Sequence, residues 1–168
     1  MAEVARVLVV DDDAVMLASV SRMLSRQGYE VLPASPRQAL EIVRTPPPVQ
    51  LILSDLEMPE IRGTPRRHRC GSARLVSELL QLSPQTAGLL VTGSVASTPD
   101  VPEGVAVVRK PFSTEALILA VQSTLRRSAE LLAESRELCG LNKQLISELN
   151  ETVQKSIALR VSSGKRRS

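Results

Sequence analysis

The chain has 168 residues, of which 23% are charged and 43% apolar, and its formal net charge is +3. This length suits one well-buried domain with an appendage. The low net charge, together with a single Tyr, a single Phe and no Trp, argues against nucleic-acid binding through a basic surface or through base stacking.

The positions of cysteine and histidine and the hydropathy of the chain argue against disulfide-linked, zinc-binding and membrane-spanning proteins. Cys70 and Cys139 lie far apart and form no CxxC pattern, which is typical of a protein in a reducing compartment. His68 is the only histidine, and no cysteine or carboxylate lies at the spacing of a zinc site. No run is long enough to span a membrane, and the N-terminus lacks a signal-peptide pattern. We therefore expect a cytoplasmic protein without a membrane partner.

Short apolar runs alternate with segments of helical spacing over the first 126 residues. The runs predict five buried strands, and the segments between them predict helices at 14–27, closed by Gly28, at 36–44, and from Leu75 onward. A last helix begins after Ser113 or Thr114, either of which can cap it. Alternation of this kind predicts an α/β fold with a doubly wound parallel sheet. The strands are expected at 4–10, 29–34, 51–55, 89–91 and 105–108.

The pattern changes at Arg126. Apolar residues recur at steps of three, four or seven without a proline, which predicts a long amphipathic helix continuing to about Arg160. A strict heptad fails, because Glu134, Glu148 and Thr152 would fall at core positions. Pairing with a second copy of the chain is the favoured interpretation; packing on its own domain and leading into an effector are the alternatives. The predicted organisation is a domain at 1–126, the helix at 127–161 and a basic, disordered tail at 162–168.

Polar side chains follow four of the predicted strands. Asp11 and Asp12 follow the first strand, Asp55 the third, Thr92 the fourth and Lys110 the fifth. Because the carboxyl ends of parallel strands form one crevice, these side chains should converge. Three close carboxylates repel one another unless a hard cation such as Mg²⁺ neutralises them. An aspartate can itself accept a phosphoryl group, and a lysine can offset the developing charge. The pattern therefore predicts a site that receives a phosphoryl group.

Four motifs occur in order over residues 4–126: VLVVDDD, LILSDLEMP followed by Gly63, LLVTGS, and RKPF. In this order and on these strand ends, they resemble the receiver domain of two-component response regulators. The resemblance implies a flavodoxin-like sheet with strand order 2-1-3-4-5.

The resemblance also implies a role for each acidic residue of the site. Asp55 matches the phosphoacceptor. Asp12 and Asp55 match direct Mg²⁺ ligands, Asp11 acts through a water molecule, and the backbone carbonyl of Glu57 completes the protein ligands.

Two further roles and the partners follow from the same resemblance. Thr92 matches the switch hydroxyl that contacts the phosphoryl group, and Lys110 matches the lysine that precedes a cis proline, here Pro111. The donor would be a histidine kinase or a phosphotransfer protein, and the chain itself would not be an enzyme. The output, whether an effector protein or a missing output domain, is not visible in the sequence.

Three features depart from the family pattern. Val107 stands where the family usually has an aromatic switch residue, so the coupled ring rotation cannot occur. Prolines interrupt the segment 94–104, so the fourth helix should be short or missing. This argues against dimerisation through the face that the family usually forms from its fourth helix, fifth strand and fifth helix. The basic insertion at 64–71 is unusual for the family.

Two alternatives of other classes stay open. One is a phosphorylation-independent scaffold that uses a receiver fold to present a dimerising helix. The other is an enzyme of the haloacid-dehalogenase type, which would need a second aspartate two residues after Asp55, where this chain has Glu57.

Overall fold

The computed structural model describes residues 4–58, 71–93 and 101–164, with side chains over 4–58, 73–93 and 101–157. Strands and helices alternate along the chain. The elements are β1 Arg6–Val10, α1 Ala14–Ser25, β2 Glu30–Ala34, α2 Pro36–Arg44, β3 Leu51–Asp55, α3 Gly71–Leu82, β4 Ala87–Thr92, β5 Ala106–Arg109 and α4 Thr114–Gly164.

The five strands form one sheet in the order β2-β1-β3-β4-β5, and every neighbouring pair is parallel. The predicted fold class and strand order are therefore confirmed. Val10 pairs with Ser54, and Asp55 pairs with Val91, so the residues that follow β1, β3 and β4 emerge at one edge of the sheet. This register places the predicted site residues next to one another.

The core has two layers, one on each face of the sheet. Successive side chains of a strand point to opposite faces, and in β1 both sets are buried because helices cover both faces. Val7 and Val9 pack with residues of α1 and of the start of α4, whereas Leu8 and Val10 pack with residues of α2 and α3. All five residues of β3 are buried, as expected for the central strand of a sheet of this kind.

Local signals set the helix ends near the site. The Asp13 carboxylate accepts hydrogen bonds from the backbone N–H groups of Val15 and Met16 and thereby caps α1. Gly28, three residues after α1, has a φ of +86°, which glycine adopts without steric cost. Ser113 caps α4, because its hydroxyl accepts a hydrogen bond from the Ala116 N–H at 3.1 Å.

Several predicted boundaries were wrong. Helix α3 begins at Gly71, earlier than Leu75, because backbone hydrogen bonds extend a helix beyond the residues that show an apolar period. Strand β4 covers Ala87–Thr92 instead of 89–91, since its pairing with β3 begins at Ala87. Of the predicted basic insertion at 64–71, residues 64–70 lie outside the described residues. For the segment 94–104, the described part, residues 101–104, contains a turn and no helix.

The chain divides into two units, Met1–Ser128 and Ala129–Ser168. Helix α4 extends through Gly164. The predicted end of the helix near residue 161 was therefore too early, and residues 162–164 are helical instead of belonging to a disordered tail. Within the described part of the chain, no helix is apolar enough over a sufficient length to cross a membrane.

Candidate functional site

Asp11 and Asp12 lie where β1 ends. Asp11 is buried, with 7% of its surface exposed, whereas Asp12 is exposed. The Asp11 carboxylate accepts a hydrogen bond from the Asp13 N–H at 2.8 Å, and the Asp11 N–H donates to the Ala34 carbonyl of β2. These contacts hold the Asp11 carboxylate inside the crevice.

Asp55 ends β3 at the centre of the site. It is 8% exposed, and each of its two carboxylate oxygens has a donor. The Glu57 N–H donates to Oδ1 at 3.1 Å, and the Lys110 ammonium donates to Oδ2 at 2.8 Å. Lysine and aspartate are 55 positions apart in the sequence, so this ion pair exists only because β3, β4 and β5 are neighbours. It confirms that the ends of the third and fifth strands meet.

Thr92 ends β4 between these two strands and is 1% exposed. Its backbone carbonyl accepts a hydrogen bond from the Lys110 N–H at 2.7 Å, which fixes the lysine beside the crevice. The Lys110–Pro111 peptide bond is cis, as the resemblance implied.

The Glu57 side chain occupies the space next to Gly93, at the rim of the site. A Cβ atom on Gly93 would lie 3.0 Å from the Glu57 carboxylate oxygen Oε2. A side chain at position 93 would therefore displace the exposed Glu57 carboxylate. The sequence prediction used only the backbone carbonyl of Glu57 and missed this contact, for which no sequence signal exists because it depends on how two loops approach.

Burial and like charges act together on Asp11. Burial raises the pKa of the Asp11 carboxyl above its ordinary value of 3.8, and the nearby carboxylates of Asp55 and Asp12 raise the pKa further. The hydrogen bond from Asp13 and the positive charge of Lys110 act in the opposite direction. The crevice thus holds more negative charge than Lys110 alone neutralises.

The donor set fits a hard cation. Asp11, Asp12 and Asp55 offer carboxylate oxygens, which Mg²⁺ prefers, and the unfavourable charge at Asp11 is what a cation would relieve. Over the described ranges, however, no group of three or more His, Cys, Asp or Glu side chains is gathered in a way that could hold a metal ion. Asp55 is bound to Lys110, so metal binding would require these side chains to rearrange.

The sequence missed one further role at this edge. Asp13, to which the motif VLVVDDD assigns no role of its own, caps α1 and orients Asp11 through its N–H. An aspartate immediately before an apolar helical period is the signal that identifies such a cap. Val107, the predicted departure, lies in β5 and is 39% exposed.

Comparison with known proteins gives the same family as the sequence motifs. Residues 7–122, more than half of the chain, match the model of the response regulator receiver domain. The response regulator MprA of Mycolicibacterium vanbaalenii is 32% identical over 124 residues, which cover 73% of this chain and 51% of that protein. The transcriptional regulatory protein PdtaR of Mycobacterium tuberculosis is 25% identical over 142 residues, or 83% of this chain and 66% of that protein. The chain thus spans about half to two thirds of the length of these relatives.

Solved structures agree with the fold. A response regulator receiver domain protein from Clostridium thermocellum has a TM-score of 0.63 at 25% identity, covering 76% of this chain and 99% of that one. The beryllofluoride-activated NtrC4 receiver domain dimer has a TM-score of 0.59 at 25% identity, covering 73% of this chain and 98% of that one. The chain therefore belongs to the family of response regulator receiver domains.

Proposed function

We propose that the chain is a cytoplasmic signalling module that accepts a phosphoryl group on Asp55 from a phosphohistidine of a histidine kinase or phosphotransfer protein. A carboxylate oxygen of Asp55 attacks phosphorus, the phosphorus–nitrogen bond breaks, and the imidazole leaves with the electron pair. The observation that carries this proposal is the buried Asp55 carboxylate, 8% exposed, with the Lys110 ammonium 2.8 Å from its Oδ2 atom.

The neighbouring groups have defined roles in this proposal. Lys110 offsets the charge that develops on the phosphoryl oxygens, and the Thr92 hydroxyl contacts the phosphoryl group. Asp12, Asp55 and the Glu57 carbonyl would hold Mg²⁺, with Asp11 acting through water. When bound, the cation supplies positive charge to the phosphoryl oxygens.

The module passes its state through α4. We propose that the apolar side of this helix pairs with a second copy of the chain, and that an effector protein or a further domain receives the signal. Two of the relatives named above are regulators longer than this chain, which supports an output of this kind. Because Val107 cannot reproduce an aromatic ring rotation, the response would start from Thr92 alone.

A phosphorylation-independent scaffold is the less favoured candidate. Such a scaffold would gain nothing from a buried aspartate beside a lysine and a desolvated second carboxylate, since removing water from these charges costs free energy. A haloacid-dehalogenase enzyme is disfavoured because the family match and the strand order are those of a receiver domain.

The test is phosphorylation of the whole chain with acetyl phosphate in the presence of Mg²⁺, followed by intact-mass analysis and peptide mapping. We expect one phosphoryl group, located on Asp55, and none in the Asp55→Ala variant or after removal of Mg²⁺ by a chelator.

The matched control is Asp13→Asn, which removes a carboxylate from the same acidic edge while asparagine keeps the helix cap. It should be phosphorylated like the parent chain. An unmodified parent chain that still forms dimers would support the scaffold and contradict the proposal.

A further inference from the structure

The part of α4 beyond residue 128 has an apolar face with a regular substructure. At 3.6 residues per turn, positions seven apart form lines along the helix. A central line contains Ser135, Asn142, Leu149 and Ser156, all of them exposed. Apolar lines flank it on both sides. One consists of Leu131, Leu138 and Leu145, each 56–58% exposed, and ends at the polar Thr152; the other consists of Leu132, Cys139, Ile146 and Val153.

The two edges of this face carry opposite charges. The edge beside Leu131, Leu138 and Leu145 follows the line of Glu134, Leu141, Glu148 and Lys155, all exposed, and its two glutamates make it mainly acidic. The opposite edge is basic in its first half, with Arg136 and Lys143, and uncharged in its second half, with Asn150 and Ile157; all four are exposed. Lys155, on the acidic edge, lies 4.0 Å from Glu151 of the same helix and so has a partner of its own.

We infer that the apolar face of α4 pairs with the same face of a second copy in a parallel, in-register dimer. The charges on the two edges favour parallel over antiparallel pairing. In a parallel pair in register, the acidic edge of one helix is on the same side as the basic edge of the other: Glu134 is level with Arg136 to within about 3 Å along the axis, and Glu148 is about 7.5 Å along the axis from Lys143. In an antiparallel pair, each edge meets its own kind, and like charges face each other.

The residues of the central line determine the register, that is, which positions of the two helices meet. In a parallel pair in register, Ser135, Asn142 and Ser156 each meet the same polar residue of the other copy, and Leu149 meets Leu149. An antiparallel pair centred between Leu145 and Ile146 instead places Ser135 against Ser156 and Asn142 against Leu149, which buries an amide against an apolar side chain. A polar amide at one core position is a known determinant of register in paired helices.

Length is sufficient for this pairing. Residues 129–157 provide about four heptads, the span that a stable helix pair needs. The inference rests on the self-pairing proposed above. It adds the direction and the register of the pair, and one crosslinking experiment tests these two features separately from the pairing itself.

The experiment uses the whole chain with Cys70 and Cys139 replaced by Ser and with one new cysteine, Ser135→Cys or Ser156→Cys. These two positions are 21 residues apart, about 32 Å along the helix. Each variant should form a disulfide-linked dimer with itself upon mild oxidation. A mixture of the two, with one chain enlarged by a tag, should give no mixed dimer.

Other outcomes overturn the inference in distinguishable ways. Crosslinks that form only in the mixture would show an antiparallel pair. A single-chain mass in solution, without crosslinks, would contradict the self-pairing itself. A mass of three or more chains would replace the dimer with a larger bundle.

Charge reversal tests the cause of the direction. Replacing Glu134 and Glu148 by Lys makes both edges basic, so self-association at low salt should weaken about tenfold. Replacing Arg136 and Lys143 by Glu in the same chain restores opposite edges and should restore the affinity. Equal affinity of all three chains would show that the edges do not determine the pairing.

Discussion

The two units of the chain use their apolar side chains in opposite ways. In Met1–Ser128, side chains such as Leu51, Leu89 and Leu117 are fully buried around a five-stranded sheet. In Ala129–Ser168, Leu138 and Leu149 are 58% and 63% exposed. A sheet covered on both faces buries its own apolar residues, whereas one helix cannot bury a side chain against itself. The first unit therefore buries its own core, whereas the second leaves an apolar face exposed.

The largest expected effect distinguishes the two uses of leucine. Leu89→Ala removes a fully buried side chain from the core of the first unit and should lower its free energy of unfolding by about 3 kcal/mol. Leu145→Ala, the same change at a side chain that is 56% exposed, should alter that free energy by less than about 0.5 kcal/mol but weaken self-association.

Urea denaturation monitored by circular dichroism, at a concentration where the chain is monomeric, measures the first quantity, and sedimentation measures the second. Equal destabilisation by both variants would contradict the contrast between the units.

The next effect concerns Lys110 within the first unit. Lys110→Met removes the ammonium group beside Asp55 and should slow phosphorylation of Asp55 by acetyl phosphate about 100-fold, because the charge on the phosphoryl oxygens loses a fixed partner. Arg109→Met is the matched control, since it removes a neighbouring but exposed positive charge. The rate is measured from the time course of the phosphorylated mass. A similar loss in both variants would assign the effect to the general potential of the surface.

The smallest effect is a pH dependence at Asp11. Because its pKa is raised in the folded chain, the folded state holds the proton more tightly than the unfolded state. The stabilisation that the protonated Asp11 carboxyl contributes is therefore complete below the ordinary pKa of 3.8. It is lost as the pH rises through the higher pKa of the folded state. Asp11→Asn should remove this loss and unfold at higher urea concentration than the parent chain at neutral pH in the absence of divalent cations.

The gain from Asp11→Asn should shrink as the pH is lowered toward 3.8. Asp12→Asn is the comparison, because Asp12 is exposed and water already solvates its charge. A gain for Asp11→Asn that does not change with pH would show that removal of the charge is not its cause.

Local patterns determined most of the fold. Helix α2 begins and ends where the sequence predicts, at Pro36 and Arg44, because a proline at its start and a proline-rich turn after it are both local signals. Helix α3 illustrates the limit: its first turn has no apolar period, and its start at Gly71 was not predicted.

The candidate site, like the fold, was predicted only in part from the sequence. The sequence by itself determined which residues follow each strand, and so which of them, Asp11, Asp55, Thr92 and Lys110, end at one edge of a parallel sheet. Only the tertiary structure decided that the Lys110 ammonium contacts Asp55 Oδ2 and that Glu57 lies against Gly93. Strand ends follow from local propensity and burial, but contacts between side chains on different strands depend on sheet order, register and loop conformation, which no local stretch of sequence specifies.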